Sequence, residues 1–228
     1  MREGVTVTGV VLKSSPSGET DRRLVVLTRE RGKITVFARG ARRPGSPFMA
    51  ACRPFVFASF TLYEGREAYG LKGAEVAEYF DRLGQDMEAS CYGSYFLEIA
   101  DYYTRENVRD EPMMVLVYQS LKALLKPVFP RELVRRIFEL KAMVNGGEYT
   151  ERPPRQTGDS AAYAWEYVVY SPPEKLYTFT LKEDAFREFA SCVEMERRRF
   201  MDKNFKSLEI LESLKQMTAG SAPAKDHL

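Results

Sequence analysis

DRRLVVLTRERGKITVFARGARRPGS, residues 21–46, is the stretch on which the fold turns. Its first part, DRRLVVLT, is rich in β-branched side chains and ends at RERGK. Gly32 in that break suits a tight hairpin position with φ above zero, where any other L-residue meets a Cβ penalty. KITVFAR then alternates, placing Ile34, Val36 and Ala38 on one face and Thr35, Phe37 and Arg39 on the other. The strand runs straight into Arg39, Arg42 and Arg43, set among Gly40, Pro44 and Gly45. Glycine and proline keep this segment out of regular structure, so it reads as a cationic loop leaving a β-hairpin.

Working outward, GVTVTGVVLK at residues 4–13 alternates Val5, Val7 and Val10 with small polar residues, and SSPSGE after it is a turn cluster. FVFASFTLYE and EAYGLKGAEV follow, split by a turn at Gly65. Five short strands within about eighty residues, joined by brief loops, predict a small closed barrel. From Tyr79 the period changes to that of a helix. Tyr92, Tyr95, Phe96, Ile99 and Tyr103 share one face, and Met114, Val117, Tyr118, Leu121, Leu124 and Leu125 another. A third helix starts with Pro130 in its first turn and stops at Asn145-Gly146-Gly147, with Leu133, Ile137, Leu140 and Val144 as its buried row. EYTERPPRQTGDS at residues 148–160 reads as irregular, and YAWEYVVYSPPEKLYTFT after it as a small β element. The chain returns to helix over residues 182–202 and 206–214, and AGSAPAKDHL at the end reads as disordered. The expected class is α+β, with a barrel at residues 1–78, a helical domain at 79–218 carrying an irregular insert near 146–178, and a tail at 219–228.

The 228 residues, 44% apolar and 29% charged, have the composition of a water-soluble globular protein. MREGVTVTGVVLK lacks the apolar run of a signal peptide and no later stretch approaches a membrane span, which points to the cytoplasm. Cys52, Cys91 and Cys192 are too dispersed for a disulfide framework or a CxxC metal knuckle. The single histidine, His227, stands next to last and is poorly placed for a general base. With no GxxxxGK[ST] and no GxGxxG, catalysis and bound cofactors or metals are not expected. Net charge is only +2, but residues 1–53 carry eleven Lys and Arg against four acids. The remainder is therefore mildly acidic, and a basic barrel on an acidic partner points to a polyanion at the first half.

Nothing near the start is a basic amphipathic helix, which disfavours a membrane surface. No helix within residues 1–53 can enter a major groove. A small barrel with arginines and exposed rings instead suits single-stranded nucleic acid, with guanidiniums on phosphates and rings on bases. The expected track is Arg22, Arg23, Lys33, Arg39, Arg42 and Arg43, with Phe37, Phe48 or Tyr63 as stacking rings.

The blocks GVVLKSSPSGETDRRLVVLTRERGKITVFARGARRP at residues 9–44, FTLYEGRE at 60–67, RRIFELKAM at 135–143 and FKSLEILESL at 205–214 together resemble the RecO family of bacterial recombination mediators. That resemblance implies an N-terminal OB-fold, a helical C-terminal domain, and binding and annealing of single- and double-stranded DNA in a nucleoid-associated protein. It also implies partnership with RecR and help in loading RecA onto strands coated by single-stranded DNA-binding protein (SSB). Many relatives carry a four-cysteine zinc element where this chain has GGEYTERPPRQTGDSAAYAWEYVVYS, residues 146–171, so no zinc is expected here and Pro, Tyr and Trp packing should replace it. The acidic, Phe-terminated SSB tail is expected on the helical domain at Arg135 and Arg136, beside Leu133 and Phe138, because a terminal carboxylate wants a bidentate arginine next to an apolar slot. The residues alone leave open an RNA-binding OB-type accessory protein, since base stacking does not discriminate ribose from deoxyribose. A carboxylate-dependent nuclease or transferase is the remaining alternative, though the acids concerned lie on amphipathic helices.

Overall fold

A computed structural model describes residues 4–148 and 150–220. The tail expected to be disordered, with His227, falls mostly outside the described residues. Five strands come first: β1 Gly4–Ser17, β2 Asp21–Thr28, β3 Gly32–Ala38, β4 Phe57–Glu64 and β5 Tyr69–Glu78. They close into a barrel in the order β1-β2-β3-β5-β4, which is the OB arrangement. β1 is long enough to pair with β4 over residues 4–10 and with β2 over residues 9–17, and the shift between Val11 and Lys13 marks a bulge where it turns from one partner to the other. The parallel pairing of β3 with β5 is confined to Val36 opposite Tyr69 and Phe37 opposite Gly70.

The β2–β3 hairpin forms as its sequence requires. Gly32 has φ +65°, and Thr28 Oγ1 accepts from the Arg31 amide (3.1 Å) while donating to the Gly32 carbonyl (2.8 Å). Ile34, Val36 and Ala38 point inward, joining Val7, Val11, Leu24, Val26, Phe60 and Leu62 in the barrel core. The run Leu24–Leu27 is buried on both faces. Leu24 and Val26 fill the barrel, while Val25 and Leu27, with Val10 and Leu12 of β1, join the core formed by the helices.

After β5 come α1 Asp81–Gly84, α2 Met87–Tyr103, α3 Glu111–Leu124, α4 Arg131–Asn145, α5 Asp159–Tyr170, α6 Glu183–Phe200 and α7 Lys206–Gly220. Asp86 caps α2 by accepting from the Ala89 amide, and Asp110 caps α3 by accepting from Met113. Pro130 is the N-cap of α4 rather than part of its first turn. The other end follows its sequence signal: Gly147 has φ +87°, and the amides of Gly147 and Glu148 donate to the Val144 and Met143 carbonyls, a Schellman stop. α2 and α3 are the helices that lie on β1.

The β element expected over residues 163–180 is not there. Residues 159–170 form α5, and a 3-10 turn at Pro173–Lys175 and a segment without strand structure follow it. The buried positions Ala161, Ala164, Trp165, Val168 and Val169 fall at helical spacing and pack toward α4 and α6. Aromatic and β-branched content suggested a strand, and burial of a helical stripe overrode it. Trp165 is buried against Phe189 and donates from Nε1 to the Thr150 carbonyl (2.8 Å).

Gly32 carries a second constraint besides its φ: a Cβ there would collide with the carbonyl of Val108 in the loop between α2 and α3. Gly32→Ala should therefore lower stability by about 2–4 kcal/mol, read as a drop in the denaturant midpoint at unchanged slope.

Candidate nucleic-acid interface

At one end of the barrel, β2 begins, β3 ends and the β1–β2 turn lies between them. Register places Arg23 opposite Phe37 and Arg22 opposite Ala38. Strand alternation then separates the two arginines. Arg23 is exposed on the outer face, its Nη2 donating to Thr35 Oγ1 (3.2 Å), while Arg22 has the inward parity of Leu24. Arg22 covers the mouth of the barrel near Cys52 and donates from Nη1 to Ser14 Oγ (3.0 Å). Burial pushes the Cys52 thiol up to about 11, Arg22 notwithstanding, so this cysteine is inert.

The loop after β3 is tied down at its root. Gly40, at φ +66°, donates its amide to Asp21 Oδ1 (2.8 Å); the Arg42 amide donates to the Thr20 carbonyl (2.8 Å), and Arg42 Nη1 to the Gly18 carbonyl (3.0 Å). Ala41 is buried in the barrel core. Arg39, Arg42 and Arg43 are exposed, and with Arg22 and Arg23 they form a basic rim. Among the described residues none of the five makes an ion pair. The hydrogen bonds from Gly40 and Thr20, with Arg39 and Arg43 nearby, hold the Asp21 carboxyl below its usual range.

Lys33 and Phe48 are not in this surface. Lys33 is only 13% exposed at its side chain, and its ammonium donates to the Asp101 carbonyl (2.7 Å) and Asp101 Oδ1 (3.1 Å) on α2. Lys13 of β1 reaches the other oxygen of the same carboxylate (2.6 Å). Lys33 is thus spent on joining barrel to helices, which removes it from the phosphate track. Phe48 packs against the barrel core.

Two family models match this chain: Recombination protein O N terminal over residues 1–80 and Recombination protein O C terminal over residues 84–151. The chain belongs to the RecO family. Curated relatives called DNA repair protein RecO include that of Alkaliphilus metalliredigens, 33% identical over 70% of this chain, and that of Acetivibrio thermocellus, 23% identical over 90%. A third, from Caldicellulosiruptor bescii, is 34% identical over 63%. The matched regions span 65%, 95% and 58% of those relatives' own lengths.

The C-terminal RecO match ends at residue 151, just past the Schellman stop of α4. Among the described residues no three His, Cys, Asp or Glu side chains gather as a metal site, and no helix is long and apolar enough to cross a membrane. The residues expected to receive the SSB tail lie inside this RecO-family fold. Leu133 and Phe138 are buried, Phe138 stacked on Phe96 at 4.2 Å between centroids. Arg135 is 4% exposed, with Nε on Glu139 (2.9 Å), and Arg136 reaches Glu139 (2.9 Å) and Glu194 (2.8 Å). Glu139, wholly buried, also accepts from Tyr95 Oη (2.7 Å). Burial alone would raise the Glu194 carboxyl, but hydrogen bonds from Arg197, Arg136 and Arg198 outweigh it and hold Glu194 well below the usual range. A peptide carboxylate at Arg135 or Arg136 would have to displace these internal partners. The sequence hint was present in Glu132 and Glu139, spaced to meet both arginines on one helix.

Two outcomes follow from these ion pairs. Arg135→Ala leaves the Glu139 carboxylate buried beside an empty position and should cost about 3–5 kcal/mol in chemical denaturation. For Asp101, burial opposes the charge, but the hydrogen bonds and charges of Lys13 and Lys33 overcome it and hold the carboxyl below its ordinary range. Its stabilisation is therefore complete above about pH 4 and disappears as pH falls through the depressed folded value. Asp101→Asn should lower stability at pH 7 by about 1–3 kcal/mol. Its stability profile should also be flatter than wild type in the acid range.

Proposed function

We propose that this RecO-family chain acts in DNA repair as a non-enzymatic mediator, binding single- and double-stranded DNA and annealing complementary strands. With RecR, it would assist RecA loading on SSB-coated DNA. The observation that carries this reading is the rim of Arg22, Arg23, Arg39, Arg42 and Arg43, five guanidiniums at one barrel end without ion-pair partners among the described residues. The family relationship supports the repair role, and the names of the curated relatives speak of DNA repair. The physical step is modest. Two strands repel each other, and a cationic surface lowers that repulsion by releasing counterions, without making or breaking bonds. An SSB tail docked on the helices would use a surface other than Arg135 and Arg136.

Replacing Arg39, Arg42 and Arg43 together by alanine should weaken single-strand binding and flatten its dependence on log salt by about 2, at roughly 0.7 per lost phosphate contact. Fluorescence anisotropy across a salt series measures both. Wild-type affinity and slope in the triple variant would refute the rim. Matched DNA and RNA oligomers in the same assay, followed by annealing of SSB-coated complementary strands, separate the mediator from an RNA-binding accessory protein.

A further inference from the structure

One row of cross-strand neighbours runs over the outside of the barrel. From β4 through β5 and β3 to β2 it reads Tyr63, Gly70, Phe37 and Arg23, each registered opposite the next. Gly70 does not have the positive φ that would demand glycine for the backbone. Its missing side chain has another cause: a Cβ at Gly70 would collide with the hydroxyl-bearing end of the Tyr63 ring. The tyrosine therefore lies across the glycine, leaning toward Phe37. Adjacent strands are about 4.8 Å apart, so the backbones under the two rings are separated by roughly 10 Å. Phe37 is 37% exposed, large for an apolar ring on a barrel wall. On its other side stands Arg23, the first cation of the rim.

We propose that this row is a stacking seat for one unpaired nucleobase, held on Phe37 and flanked by Tyr63, with the adjoining phosphate led toward Arg23. The proposal rests on the DNA-binding reading above and adds to it a source of strand preference. A base inside a duplex has its faces covered by neighbours and cannot use the rings, whereas an unpaired base can. Arginines alone attract either form through phosphate. Phe37 and Tyr63 then distinguish single from double strands, and Gly70 acts as a positioning residue that lets the Tyr63 ring lie flat.

The test uses the full chain and a single-stranded oligonucleotide carrying one 2-aminopurine, whose fluorescence falls when the base stacks, beside a duplex of the same sequence. Wild-type protein should quench the probe. Phe37→Leu, which keeps an apolar side chain but removes the ring, should abolish the quenching and weaken single-strand binding about tenfold. Duplex affinity and the salt slope should stay unchanged, and Phe37→Trp should retain the quenching. Gly70→Ala should reduce it by lifting Tyr63. Quenching that survives in Phe37→Leu, or single-strand and duplex affinity falling together, would overturn the stacking seat. If those variants behave as wild type while the triple arginine variant loses binding, the seat fails and the rim stands. If the arginine variant binds normally while Phe37→Leu loses quenching, the rim fails and the seat stands.

Discussion

Val10 and Leu12 on β1 and Val25 and Leu27 on β2 face out of the barrel, away from its own core, and a barrel standing alone would present all four to water. α2 and α3 cover them. At about 1.5–3 kcal/mol for each aliphatic side chain taken out of water, this seam contributes roughly 6–12 kcal/mol, as an upper figure. The Lys13–Asp101–Lys33 bridge beside it adds far less and serves more to set orientation than to hold the halves together. Barrel and helices are consequently one cooperative body. Because the helices cover the β1–β2 wall, the proposed nucleic-acid strand would be left the rest of the barrel surface and the basic rim.

Charge is divided between the two halves in opposite ways. In the helical half, arginines are neutralised internally: Arg131 by Asp86 and Glu88, Arg135 and Arg136 by Glu139, Arg197 by Glu194. These pairs are desolvated or partly so, and each member depends on the others staying put. At the rim Arg23, Arg39, Arg42 and Arg43 face solvent, where screening over about 8–10 Å keeps their mutual repulsion small. The same charge type is thus structural in one half and available for recognition in the other, and burial decides which.

How much of this is legible in the chain varies by element. Gly32, the alternation of Ile34, Val36 and Ala38, and the Asn145-Gly146-Gly147 stop declare themselves locally, because a turn or cap is set by neighbouring residues. The rim arginines are legible for the same reason, as a dense cluster next to glycine and proline. Lys33 was not, since its partner Asp101 lies far along the chain and nothing local announces the meeting, whereas the Glu132 and Glu139 partners of Arg135 stood on its own helix and carried the hint. Residues 159–170 misled through composition: tyrosine, tryptophan and valine favour strands, and only packing on α4 and α6 selects the helix. Gly70 gave no sign of its role, because the ring that explains it sits on the neighbouring strand.

The barrel is joined by long antiparallel ladders everywhere except between β3 and β5, where two residue pairs complete the circle. A ring yields first at its shortest weld. Of the strand-to-strand joints, the one between β3 and β5 should accordingly part most readily, its two residue pairs opening while the ladders to β2 and β4 hold. Whatever settles across Phe37 and Gly70 would bridge that gap from outside and act as a clasp on the closed cylinder.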